Sequence, residues 1–189
     1  MTTSPAPRKH LVLIGGGHTH VLVLLGLGKT PEPGLEITLI AKELAAPYSG
    51  MLPGLVAGHY TFDQCHIDLV RLARFAGAHL IHGEAVGVER TSRQVVVRGH
   101  DPLGYDLLSI DTGITPLLDG IQGAGELAIP VKPVSKFVPR WRALEQAALK
   151  LDGPRRFIVV GTGAAGLEIV LAIRHRLRAE GPRIGIPAD

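Results

Sequence analysis

Cysteine and aromatic residues are scarce in this 189-residue sequence. It contains one cysteine, Cys65, with four phenylalanines, three tyrosines and one tryptophan. A single cysteine excludes an intrachain disulfide framework, a multi-cysteine zinc site and a redox relay built on two thiols, and it favours a reducing compartment. So few aromatic side chains argue against a base-stacking platform for nucleic acid, although the net charge is +3.

Long apolar runs are also missing. The longest strongly apolar run, residues 21–27, is far shorter than the roughly 18 residues that a membrane span needs. Residues 11–14 are too few for the apolar core of a signal peptide. We therefore expect a soluble, cytoplasmic protein without a membrane span. Hydrophobic residues still make up 46% of the chain, which is enough for a buried core, and 24 glycines predict many tight turns.

The most informative feature is a pattern that occurs twice. Residues 11–20 and residues 157–166 each consist of a short apolar strand that runs into Gly-x-Gly. The first copy is followed by an apolar helical stretch (21–29) and a second strand (35–41), which together predict a β-α-β unit. The second copy is followed by a predicted helix over 164–179, which ends in basic residues and a Gly-Pro stop.

The residues between the two copies predict mixed α and β structure. Residues 68–76 have the pattern of a short helix. Strands are predicted at residues 78–81, 85–89, 94–98 and 105–110. A further helix precedes the second glycine motif, and Pro139 fits only in the first turn of that helix.

Each glycine motif has the chemistry of a diphosphate site. A strand that turns through Gly-x-Gly into a helix presents backbone N–H groups and the positive end of the helix dipole. In the first copy, Gly15 permits the turn and Gly17 lets a phosphate approach. The second copy is complete, because residues 161–166 read Gly-x-Gly-x-x-Gly and Glu168 follows. One such motif can be an ordinary tight turn, whereas its repetition favours nucleotide binding.

The first copy departs from this fingerprint at two places. His20 replaces the third glycine, so we expect its helix to pack differently against the strand. The acidic residue that would bind a ribose is absent at the end of the second strand, where Ala41 and Lys42 stand. Glu43 is the nearest carboxylate, and it either reaches the ribose or is a solvated loop residue.

Four histidines raise the alternative of a metal site. His18 and His20, and likewise His79 and His82, are spaced so that their imidazoles do not share one face, and no nearby cysteine or carboxylate completes either pair. We therefore predict surface or packing histidines and no metal, with His18 a candidate phosphate or flavin-side contact. No serine lies in a nucleophile-elbow pattern.

The segment 47–54 is predicted to be an irregular loop, because it is rich in proline and glycine. It also carries Tyr48, Met51 and Leu52, which a solvated linker rarely contains. The loop therefore either covers an apolar ligand or packs on the core.

Three segments, in their order along the chain, resemble one protein family: residues 15–17, 105–116 and 161–168. The family is the pyridine nucleotide-disulfide oxidoreductase superfamily, whose members are flavoproteins with two dinucleotide-binding domains. Within it, the chain is most similar to type II NADH dehydrogenase-like proteins. Residues 15–20, 47–54 and 131–133 also resemble the FAD module that some bacteria fuse to selenide, water dikinase.

The resemblance implies an FAD site built mainly from the first glycine motif. The pyrophosphate would be bordered by Gly15, Gly17, His18 and Thr19, the ribose by Glu43, and the adenine by Val86. The flavin side would be approached by Thr112 and Gly113, and the isoalloxazine neighbourhood by Pro47, Met51 and Lys132. One position departs from the family, which usually has Ala where this chain has Asp111.

The resemblance also implies an NAD(P)H site at the second motif. Gly161, Gly163 and Gly166 would hold the pyrophosphate, and Glu168 would lie near the nicotinamide. The implied reaction is hydride transfer from NAD(P)H to FAD, with the electrons passing to a quinone or another small-molecule acceptor. This chemistry needs no catalytic acid or base, and the single Cys65 excludes a disulfide reductase.

The implied fold class is α/β. A Rossmann-like FAD-binding domain, with a parallel sheet, helices and a small antiparallel β meander, is expected over residues 1–120. A connecting segment with a helix follows over 121–155, and a second Rossmann-like domain begins over 156–189. Since only about one β-α unit of that second domain is present, the alternative is a nucleotide-binding fragment without turnover, which needs a partner chain, a second copy or a missing C-terminal part.

Overall fold

The computed structural model describes residues 8–150, 152–154 and 156–181, and these form two compact units. The first unit comprises the residues up to 46 and residues 67–113, and the second comprises 47–66 and the residues from 114 onward. The strands are β1 (Lys9–Ile14), β2 (Leu35–Ala41), β3 (Ala45–Pro47), β4 (His66–Asp68), β5 (His79–His82), β6 (Ala85–Glu89), β7 (Gln94–Val97), β8 (Leu103–Gly104) and β9 (Leu107–Ile110). The helices are α1 (His18–Lys29), α2 (Leu52–Ala57), α3 (Leu69–Phe75), α4 (Ala124–Leu127), α5 (Val134–Ala148) and α6 (Ala164–Glu180).

The first unit is built on a four-stranded parallel sheet with the strand order β5-β2-β1-β9. Val12 of β1 lies opposite Thr38 of β2 on one side and opposite Leu108 of β9 on the other. Because α1 connects β1 to the parallel strand β2, the predicted β-α-β unit is confirmed. The observed bounds of β2 are those that the sequence predicts, and β1 begins two residues before the predicted start at Leu11.

Alternating residues of the central strands face opposite sides of this sheet, as the period of two in a strand requires. On one side, Leu13 and Leu39 pack in a cluster with Leu24 of α1. On the other side, Ile40 packs in a cluster with Val97 of β7. The sheet is therefore covered by helices on one face and by the antiparallel strands β6, β7 and β8 on the other, which confirms the predicted α/β fold with a small meander.

The second unit has a helical core. Leu52 and Val56 of α2, Phe137 and Trp141 of α5, and Ile173 of α6 are buried together. None of the helices in the described ranges is long and apolar enough to cross a membrane.

Pro139 lies inside α5, so the prediction that it occupies a first turn is wrong. The helix begins at Val134, five residues earlier. The ring of Pro139 has no N–H to donate to the preceding turn, which weakens the helix locally. The neighbouring side chains of Phe137, Val138 and Trp141 are buried in the core of the unit, and their burial holds the helix together across the proline.

The segment 47–54 contains regular structure, contrary to prediction. A 3₁₀ turn covers Ser49–Met51, and α2 begins at Leu52. Pro53 is tolerated because it lies in the first turn of α2, where a missing N–H leaves no helical bond unmade. Leu52 is buried in the core of the second unit, so at this residue the segment packs on the core.

The predicted strand before the second glycine motif is not formed by residues 157–160. Phe157 and Val159 are half-buried against the core of the unit, whereas Ile158 and Val160 remain 80% and 77% exposed. The alternation is that of a strand, but no residue in the described part of the chain pairs with this segment in a ladder. A single extended segment leaves its backbone groups without the partners that define a strand.

Replacement of Leu24 by alanine should lower the free energy of unfolding by about 3 kcal/mol, because it opens a cavity in the core between α1 and the sheet. Leu22, on the same helix, is 55% exposed, and its replacement by alanine should change stability by less than about 0.5 kcal/mol. Urea unfolding followed by circular dichroism measures both. Equal losses would contradict the observed orientation of α1.

Candidate dinucleotide-binding site

The carboxyl ends of four parallel strands meet at one edge of the sheet in the first unit. From β1, the chain proceeds to β2 on one side of the sheet, whereas β9 pairs with β1 on the other side. In open α/β sheets, the crevice at such a reversal of strand order is the usual place for a ligand. The loop after β1, which carries Gly15 and Gly17, and residues 111–113 after β9 lie at this point.

The loop between β1 and α1 has a backbone that only glycine can form. Gly15 has a φ of +96°, and its N–H donates to the carbonyl oxygen of Ile40 at 2.8 Å. A methyl group added at Gly15 would overlap the carbonyl oxygen of Asp111. The N–H of Gly17 donates to that same oxygen at 3.2 Å, which ties the loop to the end of β9.

Asp111 caps the N-terminus of α1 from the neighbouring strand. Gly17, the N-cap residue, has no side chain to accept a hydrogen bond. The carboxylate of Asp111 fills the space beside the Cα of Gly17, and its Oδ2 accepts the N–H of His20 at 3.2 Å. A carboxylate at this end of a helix is stabilised by the helix dipole. Asp111 therefore supplies the cap that Gly17 lacks.

His20 is completely buried, which agrees with the predicted packing role. Its Nδ1 lies 2.8 Å from the carbonyl oxygen of Gly15, and its Nε2 lies 2.8 Å from Oγ of Ser109 on β9. Both ring nitrogens therefore have partners. The described residues contain no group of three or more His, Cys, Asp or Glu side chains that could hold a metal ion.

The remaining residues proposed for the first site lie at different distances from the glycine loop. His18 and Thr19 are exposed in the first turn of α1. Thr112 and Gly113 are exposed beyond β9, and the Cα of Thr112 lies 3.2 Å from the Cβ position of Gly15. These four exposed residues border the N-terminus of α1, which the carboxylate of Asp111 caps.

The end of β2 carries charged side chains. Glu43 is exposed two residues after this strand ends. The Nζ of Lys42 lies 2.8 Å from Oε1 of Glu84, and this hydrogen bond and charge lower the pKa of the Glu84 carboxyl. Val86, on β6, is half exposed.

The second glycine motif repeats the backbone of the first. Gly161 has a φ of +112°, and Gly163 is the N-cap of α6 with φ −70° and ψ 168°, close to the −66° and 168° of Gly17. A Cβ at Gly161 or Gly163 would meet no atom of the described residues within 4 Å, so the helix end borders open space among them. This space lies beside the N-terminus of α6, where backbone N–H groups and the helix dipole are suited to a diphosphate.

Gly166 performs the packing role expected of a third glycine. A Cβ at this position would lie 2.5 Å from the carbonyl oxygen of Gly161, so α6 approaches its glycine loop more closely than any side chain allows. Glu168, in the next turn of α6, is exposed.

Pro47, Met51 and Lys132 belong to the second unit, whereas the first glycine motif belongs to the first. Pro47 ends β3, and Lys132 is half-buried before Pro133. The carbonyl oxygen of Met51 lies 4.0 Å from Sγ of Cys65. Burial raises the pKa of the Cys65 thiol, which keeps it protonated and unreactive at neutral pH.

Two residues next to the first glycine loop and α1 play roles that the sequence does not reveal. Ser109 has the pattern of an ordinary strand residue, and no signal marks it as the partner of His20. The sequence marks Asp111 only as a difference from the proteins that it resembles, and the capping role of Asp111 depends on a helix about 90 residues earlier in the chain.

No protein-family model matches the chain. The assimilatory nitrate reductase electron transfer subunit of Bacillus subtilis is 24% identical to it over 173 residues, which are 89% of this chain and 21% of that protein. The chain thus spans about a fifth of the length of this curated relative.

Solved structures share the fold. The sulfide:quinone oxidoreductase of Aquifex aeolicus is 22% identical with a TM-score of 0.72, and the match covers 95% of this chain and 42% of that chain. NDH2 of Plasmodium falciparum in complex with NADH is 16% identical with a TM-score of 0.73, and the match covers 94% of this chain and 40% of that chain. These matches confirm the predicted resemblance: the chain has the fold of the pyridine nucleotide-disulfide oxidoreductases over part of their length.

Proposed function

We propose that this chain carries the two cofactor-binding motifs of an FAD-dependent NAD(P)H oxidoreductase that passes electrons to a quinone or another small-molecule acceptor. One observation carries the proposal: two glycine turns with matching backbone angles each end at the N-terminus of a helix. A protein that transfers hydride from one dinucleotide to another needs two such sites.

The first motif is the proposed FAD site. Gly15 and Gly17 would bring the backbone close to the pyrophosphate, and the exposed His18 and Thr19 would border it from α1. Thr112 and Gly113 would approach from the opposite side of the switch point. Glu43 would reach the ribose and Val86 the adenine, whereas Pro47, Met51 and Lys132 would lie near the isoalloxazine ring.

The second motif is the proposed NAD(P)H site. Gly161 and Gly163 border open space that a diphosphate can enter, and Gly166 lets α6 approach the loop closely. Glu168 would lie near the nicotinamide. The domain division at residues 1–120, 121–155 and 156–189 belongs to the same proposal.

The protein's part in the reaction is to bind and orient the two cofactors. A bound flavin would supply the hydride chemistry itself. The glycine loops would fix the diphosphates through backbone N–H groups, and no side chain is assigned a proton transfer. Cys65 takes no part, because its thiol is buried and its pKa is raised.

Known proteins support an electron-transfer role. The curated relative is described as an electron transfer subunit, and two similar structures are described as NADH complexes, one of them a water-forming NADH oxidase. Since the relative is a subunit, a partner chain or a second copy belongs to the proposal beside the small-molecule electron acceptor. A nucleotide-binding fragment without turnover is the second candidate, because Ile158 and Val160 are exposed and no residue in the described part of the chain pairs with their segment in a ladder.

Reconstitution of the 189-residue chain with FAD should give a yellow protein, and NADH or NADPH should bleach its visible absorbance. Absorption spectroscopy after gel filtration measures both steps. A chain that retains no flavin would contradict the proposed function. A chain that retains FAD without bleaching would favour the second candidate.

Replacement of Gly163 by alanine should slow the bleaching by NADH about tenfold or more, because its methyl group enters the open space that the diphosphate would use. Stability should stay within about 1 kcal/mol, since Gly163 has an ordinary φ and no atom lies in the way. FAD binding should be unchanged. Stopped-flow absorbance and thermal unfolding separate the two effects.

The matched control is Gly26, a glycine inside α1 with open space around it. Its replacement by alanine should stabilise the protein by about 0.5 to 1 kcal/mol through helix propensity and leave the bleaching rate unchanged. If Gly163→Ala and Gly26→Ala bleach equally fast, the second motif is not the NAD(P)H site.

A further inference from the structure

His20 occupies the position that the fingerprint reserves for a third glycine, yet it is fully buried with two polar ring nitrogens. A buried polar group is stable only when each donor and acceptor has a partner. The carbonyl oxygen of Gly15 can only accept, so Nδ1 of His20 carries the proton and donates to it at 2.8 Å. In the neutral ring, Nε2 then accepts from the hydroxyl of Ser109 at 2.8 Å.

The equivalent loop carbonyl has a different neighbour in each motif. In the second motif, α6 lies so close to its loop that a Cβ at Gly166 would stand 2.5 Å from the carbonyl oxygen of Gly161. In the first motif, the helix stands far enough away for a complete imidazole to fit. His20 fills the gap and binds the equivalent carbonyl oxygen, that of Gly15.

We propose that His20 is a positioning residue, which holds the first glycine loop in the conformation that binds the FAD diphosphate. The inference rests on the proposed function. A peptide group is planar and trans, so a hydrogen bond that fixes the carbonyl of Gly15 also fixes the direction of the N–H of Gly16. A loop held in this way loses little freedom on binding, which raises affinity.

The fingerprint indicates that a glycine at position 20 should favour FAD binding, whereas the structure predicts that it weakens FAD binding. His20→Gly restores the third glycine, but it leaves the Gly15 carbonyl and the Ser109 hydroxyl without their buried partner. We expect this variant to bind FAD at least about tenfold more weakly than the wild type. Flavin fluorescence titration measures the dissociation constant.

Three further variants separate the two hydrogen bonds. His20→Asn keeps an N–H near the position of Nδ1, so it can still donate to the Gly15 carbonyl. Ser109→Ala removes only the bond to Nε2. Both should bind FAD within about threefold of the wild type, whereas His20→Gln, whose amide reaches the Nε2 position, should lose about as much affinity as His20→Gly.

Leu24→Ala is the control for stability, since Leu24 is equally buried in the same helix but contacts no loop carbonyl. It should lower the unfolding temperature without changing the dissociation constant of FAD, measured where circular dichroism shows each variant to be folded. If His20→Gly does not fold, the contrast between His20→Asn and His20→Gln decides the question.

The inference is overturned if His20→Gly or His20→Gln binds FAD as tightly as the wild type. It is also overturned if His20→Asn or Leu24→Ala loses as much affinity as His20→Gly, because the effect is then a general loss of stability. Failure of the wild-type chain itself to bind FAD has a different meaning, since it removes the proposed function and this inference with it.

Discussion

The contact between the end of β9 and the loop after β1 constrains the whole of the first unit. Asp111 donates its N–H to the carbonyl oxygen of Ile14, and its own carbonyl oxygen accepts the N–H of Gly17. Its backbone is therefore fixed on two sides. The positive φ of Gly15 and the start of α1 follow from this contact, because no side chain fits at Gly15 so close to the neighbouring strand.

The two glycine motifs differ in what surrounds them rather than in their own backbone. The first is closed by the parallel strand β9, by the carboxylate of Asp111 directly after that strand, and by the buried imidazole of His20 in α1. Nothing in the described residues of the second unit closes the other motif, and the space beside Gly161 and Gly163 stays open. The same Gly-x-Gly pattern thus forms a turn fixed by its neighbours in one place and an open turn in the other.

Local features were predictable from the sequence, and features that join distant segments were not. The bounds of β2 and β6 follow from alternating apolar residues, and the turn at Gly15 follows from the need for a positive φ. The cap by Asp111 and the partnership of His20 with Ser109 join positions about 90 residues apart, which no local pattern encodes. Pro139 was misplaced for a similar reason, because tertiary burial of α5 overrides its local preference.

The charges at the carboxyl edge of the sheet determine how a diphosphate can be held there. Lys42, the cation at the end of β2, already pairs with Glu84, and Asp111 places a negative charge at the N-terminus of α1. At the proposed site, attraction for a phosphate would therefore come mainly from oriented backbone N–H groups and the helix dipole. A charge at the helix end gains about 0.3 to 2 kcal/mol from the dipole, and only within the first turn. Forces of such short range depend on the conformation of the loop, which the hydrogen bond from His20 to the Gly15 carbonyl helps to fix.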